Sequence, residues 1–206
     1  MEKNISFPCD DINLSGLFDE GMGTGVKNGV VVTHPHPLYG GDMYNPVVEE
    51  IIRTYRAKGW ATLRFNFRGT GASGGRHDEG YGEQEDIAAA LTYMRNAGIP
   101  VPDLAGYSFG AWVCARCAAA LDNAHRMIMV SPPVAMMDFA GIEAIPQLAL
   151  VITGSLDEIA PPDLLHQHLP IWNPDARFSV IEGADHFFSG WANALGAAIE
   201  PFVSME

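Results

Sequence analysis

Basic side chains are scarce in this chain. Lysine and arginine total 12 against 25 aspartates and glutamates, a formal net charge of -13 at pH 7. That sign is wrong for neutralising phosphates or docking on an anionic leaflet, so neither nucleic acid nor a membrane surface is expected as a partner. Cysteine is sparse too. Three in 206 residues is an odd number and no disulfide framework, which points to a reducing compartment. No stretch reaches the roughly 18 uninterrupted apolar residues of a membrane span. The N-terminal MEKNISFPCDDINLSG lacks the charged segment and apolar run of a signal peptide. A soluble, cytoplasmic protein is the expectation. There is no internal repeat, low-complexity tract or Pro/Ser-rich linker, and 48% of residues are hydrophobic, so 1–206 is expected to be a single domain with a substantial core.

What is present is an alternation of strand and helix patterns. Residues 3–7 and 12–18 alternate apolar and polar positions around Cys9, Asp10 and Asp11, as a hairpin-like pair does, and glycines 21, 23 and 25 then turn the chain. Residues 29–33 form a short, β-branched apolar run, the pattern of a strand covered on both faces. In 46–58, Val47, Val48, Ile51, Ile52 and Tyr55 recur at helical spacing, with Pro46 suited to the first turn and Gly59 to the C-cap. The alternation continues as strand 60–67, helix 83–97, strand 102–107, helix 109–121, strand 127–130, strand 148–153, short helix 161–169, strand 177–181 and a closing helix over 189–202. It predicts an α/β fold with about eight strands, a mostly parallel sheet and helices on both faces.

The chemistry begins at Gly106, Tyr107, Ser108, Phe109 and Gly110, a G-x-S-x-G sequence between a predicted strand and a predicted helix. A serine there occupies a strained turn, and side chains at the flanking glycines would strike the adjoining strand and helix. A free hydroxyl is a poor nucleophile and needs a base, which in turn needs a third group to fix its tautomer. In the order Ser, Asp or Glu, His, both partners lie C-terminal to the serine, each beyond a later strand. Asp157 follows strand 148–153, with Glu158 beside it as the alternative acid or a helix N-cap role as the bland one. His186 follows strand 177–181; the other histidines, at 34, 36, 77, 125, 166 and 168, lack that position. Asp185 reads as a loop hydrogen-bond acceptor.

A tetrahedral oxyanion needs preorganised N–H donors. The amide after the nucleophile, that of Phe109, is the first. The second is expected from the loop His34, Pro35, His36, Pro37, Leu38, Tyr39, Gly40, Gly41, with the Leu38 amide nominated and Tyr39 as the fallback; the prolines cannot donate. His34 and His36 lack an evident third ligand, so no metal is expected.

These segments, together with Arg64 to Ser73 and with Gly154 to Asp157, resemble the small lidless bacterial α/β-hydrolases related to dienelactone hydrolase over most of the chain. The resemblance implies the α/β-hydrolase fold and an esterase-like serine hydrolase with Ser108, Asp157 and His186 as its triad. Dienelactone hydrolases usually carry cysteine where this chain has Ser108, which argues against dienelactone as substrate.

Two other motifs read as structural. Gly69, Gly71 and Gly74 fit G-x-G-x-x-G after a strand, but residues 75–82 intervene before the next helix, whose N-terminus would have to meet a pyrophosphate. No cofactor is expected, and Arg68 is read as a clamp on loop carbonyls. Cys114 and Cys117 fall within a helix and read as small buried residues. Between Ser131 and Gln147 there is no room for an inserted cap domain. Met136 and Met137, with Phe139, Trp112 and Phe187, are the candidate lining of an open acyl pocket, with plain core packing as the alternative for each. The expected reaction is two-step acyl transfer from a small ester substrate to water; a thioesterase or amidase on the same triad, or a ligand-binding protein without turnover, are the alternatives. No sequence signal bears on oligomeric state.

Overall fold

The computed structural model of the chain describes residues 1–22, 28–120 and 124–203. Strands β1 (Lys3–Cys9) and β2 (Ile12–Asp19) form an antiparallel hairpin with Cys9 opposite Ile12. Asp10 turns it at φ 47°. Gly21 turns the chain at φ 70°, whereas glycines 23 and 25 lie outside the described residues. Strand β3 (Gly29–Thr33) leads into a loop and then helix α1 (Pro46–Ala57), where the Asn45 side chain accepts the Val47 amide and Pro46 opens the first turn. Strand β4 (Ala61–Phe65), helix α2 (Gly82–Asn96), strand β5 (Asp103–Tyr107) and helix α3 (Phe109–Cys117) follow. The second half runs through β6 (Met127–Val130), β7 (Leu148–Gly154), α4 (Pro162–Trp172), β8 (Arg177–Ile181) and α5 (Ala192–Val203).

The eight strands lie in one sheet, ordered β1-β2-β4-β3-β5-β6-β7-β8. The hairpin joins β4 antiparallel, and every pair from β4 to β8 is parallel. Alternate strand residues feed two cores. Val30, Val32, Ile128, Val130 and Ile152 meet α1 and α5 on one face; Val31, Leu104, Met129 and Val151 meet α2, α3 and α4 on the other. Each such buried aliphatic side chain contributes about 1.5–3 kcal/mol. This is the α/β-hydrolase fold, and the connection from β6 to β7, residues 131–147, carries no inserted cap domain.

Some boundaries differ from the sequence patterns. The strand expected over 60–67 stops at Phe65: the Asn66 amide still donates to the Ser15 carbonyl, but its Oδ1 accepts the Met43 amide and the next amide, that of Phe67, goes to the His34 ring instead of to a strand. Helix α3 ends at Cys117 and tightens into a 3₁₀ turn at Ala118–Ala120; Leu121 lies outside the described residues. Helix α4 runs past Pro170 to Trp172, whose buried indole stacks on His168 at 4.8 Å and anchors the last turn.

The chain runs from β3 through α1 to β4 on one side, then crosses by α2 to β5 on the other side of β3. The order therefore reverses between β3 and β5, and in open α/β sheets the carboxyl ends at such a reversal form the ligand crevice. Thr33 sits opposite Gly106 there. A Cβ on Gly110 would lie 2.5 Å from Thr33 Oγ1 and 2.8 Å from the His34 carbonyl oxygen. Gly110→Ala is accordingly expected to lower the unfolding free energy by about 1–3 kcal/mol through overpacking, read from the urea midpoint.

Candidate active site

Ser108 is the residue between β5 and α3. It holds φ 54° and ψ -120°, a conformation that costs a non-glycine residue about 1–3 kcal/mol and persists because its surroundings enforce it. Its amide donates to the Val130 carbonyl at 2.9 Å, tying the elbow to β6. A Cβ on Gly106 would lie 2.6 Å from Ala111 Cα, so the strand before the serine and the helix after it touch at backbone level.

The loop after β7 presents Asp157. Its Oδ1 accepts the Ile159 and Ala160 amides at 2.9 and 2.7 Å, which fixes the carboxylate plane. The neighbouring Glu158 is exposed. After β8, His186 lies between the two. Its Nδ1 stands 2.9 and 3.0 Å from the Asp157 oxygens, and its Nε2 stands 2.9 Å from Ser108 Oγ. A carboxylate only accepts, so Nδ1 carries the hydrogen and Nε2 is left to accept from the serine hydroxyl. All three side chains are buried but for a small opening. Burial opposes ionisation of Asp157, yet the His186 hydrogen bond and charge and the Ala160 amide hold its carboxyl below the usual range. Asp185 accepts the Phe187 amide and takes no part in this line.

Tyr107 was not singled out by sequence reasoning. Its hydroxyl donates to the His186 carbonyl at 3.0 Å and its ring lies 5.6 Å from the imidazole, so the residue before the serine anchors the histidine loop. The available signal was a large polar-tipped aromatic at the end of a buried strand whose other polar side chain, Asp103, lies at its start.

The three groups open into a cavity of about 360 Å³ lined by Tyr39, Pro133, Met136, Met137, Ile159 and Phe187 among others. Of the residues nominated from the sequence, Met136, Met137 and Phe187 line this cavity. Trp112 and Phe139 do not. Trp112 is buried with its Nε1 donating to the Asp138 carbonyl at 2.7 Å, its ring occupying the space left by Gly80. The 131–139 segment turns through Pro133, offers its methionines to the cleft, and sends Phe139 back against Trp172 at 5.3 Å.

The loop after β3 also departs from expectation. The Leu38 amide donates to His36 Nδ1 at 3.2 Å, and the Tyr39 and Gly41 amides donate to the His36 carbonyl at 3.1 and 3.0 Å. The Gly40 amide donates to the Pro37 carbonyl. Neither Leu38 nor Tyr39 therefore has a free donor. Pro35 and Pro37 have none, so within 35–41 the His36 amide alone has no partner among the described residues; it shares that property with the Phe109 amide. Burial, and next the neighbouring His77, push the His36 imidazole downward, which keeps it neutral and able to accept from Leu38.

Arg68 does not clamp carbonyls. Its guanidinium and amide engage buried Asp86 at 2.8–3.0 Å. The glycine-rich turn beside it closes on itself, Gly69 donating to the Gly74 carbonyl, well before α2 begins at Gly82. Cys114 and Cys117 are buried on α3, and burial pushes the Cys114 thiol up to about 12. No helix among the described residues is long and apolar enough to cross a membrane.

Known proteins share this arrangement of strands and helices. An alpha-beta serine hydrolase homologue from Coxiella burnetii is 31% identical and superposes with a TM-score of 0.89 over 98% of this chain and 97% of that one. XC6422 from Xanthomonas campestris, an a/b serine hydrolase without lid, is 30% identical with a TM-score of 0.86, covering 100% and 96% of the two chains. The uncharacterized protein RP471 of Rickettsia prowazekii (strain Madrid E) is 32% identical over 188 residues, 84% of this chain and 77% of that one. Residues 30–201 match the alpha/beta hydrolase family, and with the lidless eight-stranded sheet and these relatives that match makes the chain a member of it.

Proposed function

We propose that the protein is a serine esterase that cleaves small esters through an acyl-enzyme on Ser108. The observation that carries this reading is the unbroken line from Asp157 through His186 to Ser108 Oγ, ending at an apolar cleft. His186 Nε2 takes the serine proton as Oγ attacks the ester carbonyl, and Asp157 stabilises the imidazolium that forms. The proton then passes from Nε2 to the leaving alcohol, and water repeats the sequence on the acyl-enzyme. Met136, Met137, Ile159 and Phe187 favour an apolar acyl group, and flexible methionines accommodate varied shapes. The three free cysteines fit a cytoplasmic location.

The developing oxyanion would be held by the amides of Phe109 and His36, neither of which has a partner among the described residues, the latter replacing Leu38. His36 has φ -58°, a value proline adopts without strain, so His36→Pro deletes the donor while His36→Ala deletes only the ring. Hydrolysis of p-nitrophenyl acetate and butyrate is expected to fall about 10²- to 10³-fold in kcat for His36→Pro relative to His36→Ala. Equal rates in the two would exclude this amide.

With the same substrates, Ser108→Ala is expected to lose on the order of 10⁴-fold or more in kcat, and Asp157→Asn about 10⁴-fold, at unchanged melting temperature for the serine variant. Turnover that survives Ser108→Ala would defeat the esterase reading. Because the folded Asp157 carboxyl sits below its unfolded value, it contributes stability that is complete above the ordinary carboxylate range and is lost as pH falls below about 4. Urea titrations across that range should show a shallower acid decline in Asp157→Asn than in the wild type.

A further inference from the structure

His34 is the first residue after β3 and is fully buried. Both of its ring nitrogens have partners that fix the tautomer. Nδ1 lies 2.7 Å from the Pro35 carbonyl oxygen, which only accepts, so Nδ1 carries the hydrogen. Nε2 lies 3.0 Å from the Phe67 amide, which only donates, so Nε2 is bare. His34 is a neutral imidazole with no capacity left over. Burial pushes its pKa down to about 4, so it keeps this state throughout the neutral range.

The Pro35 carbonyl and the His36 amide belong to one peptide plane. In a trans peptide they point in opposite directions, so whatever holds the carbonyl sets where the N–H aims. The His36 side chain cannot do this, because its own Nδ1 serves the Leu38 amide. We propose that His34 is a positioning residue: by donating to the Pro35 carbonyl it aims the His36 amide at the substrate oxyanion, and by polarising that peptide it strengthens the donor. The proposal rests on the serine-hydrolase reading above and on its assignment of the His36 amide.

Two further features hold the same plane. A Cβ on Gly41 would collide with the Pro35 carbonyl oxygen, so glycine there leaves the carbonyl free to meet His34. The His34 ring also packs edge-on against Phe67 at 4.8 Å, and Phe67 packs edge-on against Phe109 at 5.8 Å, whose amide is the other donor. One buried side chain thus links the two segments whose amides must converge on a single oxygen.

The test is steady-state hydrolysis of p-nitrophenyl butyrate by the wild type, His34→Gln and His34→Asn, with a thermal melt of each. The asparagine carboxamide occupies the Nδ1 position and reaches the Pro35 carbonyl. The glutamine carboxamide occupies the Nε2 position and serves only the Phe67 amide. His34→Gln is expected to lose between about 10- and 100-fold in kcat with little change in KM. His34→Asn is expected to recover most of that loss. A residue that merely fills the core predicts equal kcat in the two variants or the reverse order, and either result in folded protein overturns the proposal. Should His34→Gln not fold, Gly41→Ala displaces the same carbonyl from outside: a fall of at least about tenfold in kcat supports the proposal, and wild-type kcat overturns it. The hydrolase reading fails differently. In that case the wild type itself shows no turnover that Ser108→Ala abolishes, and the positioning role falls with it.

Discussion

Between the end of β3 and the first turn of α3 there is no space for a side chain. Gly110 meets Thr33 Oγ1 and the His34 carbonyl where a Cβ would have to sit. This contact brings the loop after β3 beside the serine elbow at the point where the sheet order reverses. Much of the site depends on that proximity. The free amides of His36 and Phe109 come from opposite sides of it, and His36 packs its ring on Phe109 at 4.7 Å across it. A larger residue at 110 would separate the two segments and leave the elbow without its neighbour.

The cost of this arrangement is concentrated in the backbone. Ser108 sits at positive φ, and so do Ser131 and Phe188, in the loops that follow β6 and β8. Strained residues of this kind survive only where the surroundings over-determine them. Here the restraints are the Ser108 amide bonded to Val130, the Ser131 amide bonded to Ile152, and the Tyr107 hydroxyl bonded to the His186 carbonyl. Each strained loop is thus pinned to an adjacent strand or loop, which keeps the polar groups rigid at the edge of an otherwise apolar cleft.

Much of this was legible from sequence because strands announce themselves locally. The short, mainly apolar runs at 29–33, 127–130 and 177–181 match β3, β6 and β8. Ser108, Asp157 and His186 each follow such a run, so their convergence could be anticipated from chain order. What the pattern could not convey was the pairing of individual atoms. Whether the Leu38 amide is free depends on a ring nitrogen two residues earlier, and whether Trp112 faces the cleft depends on the space beside Gly80. Apolar character predicts burial; it does not say which side of a helix meets solvent. The same limit applies to α4, where packing of Trp172 carries the helix through a proline that propensity alone would treat as a stop.

The central claim is that Ser108 is a nucleophile activated by His186. Its most direct test is to treat the folded protein with a fluorophosphonate probe, digest it and map the adduct by mass spectrometry. One phosphonyl group per chain is expected, on the peptide that contains Ser108, and none on the Ser108→Ala variant. An unlabelled wild type, or an adduct elsewhere with Ser108 unmodified, would contradict that claim.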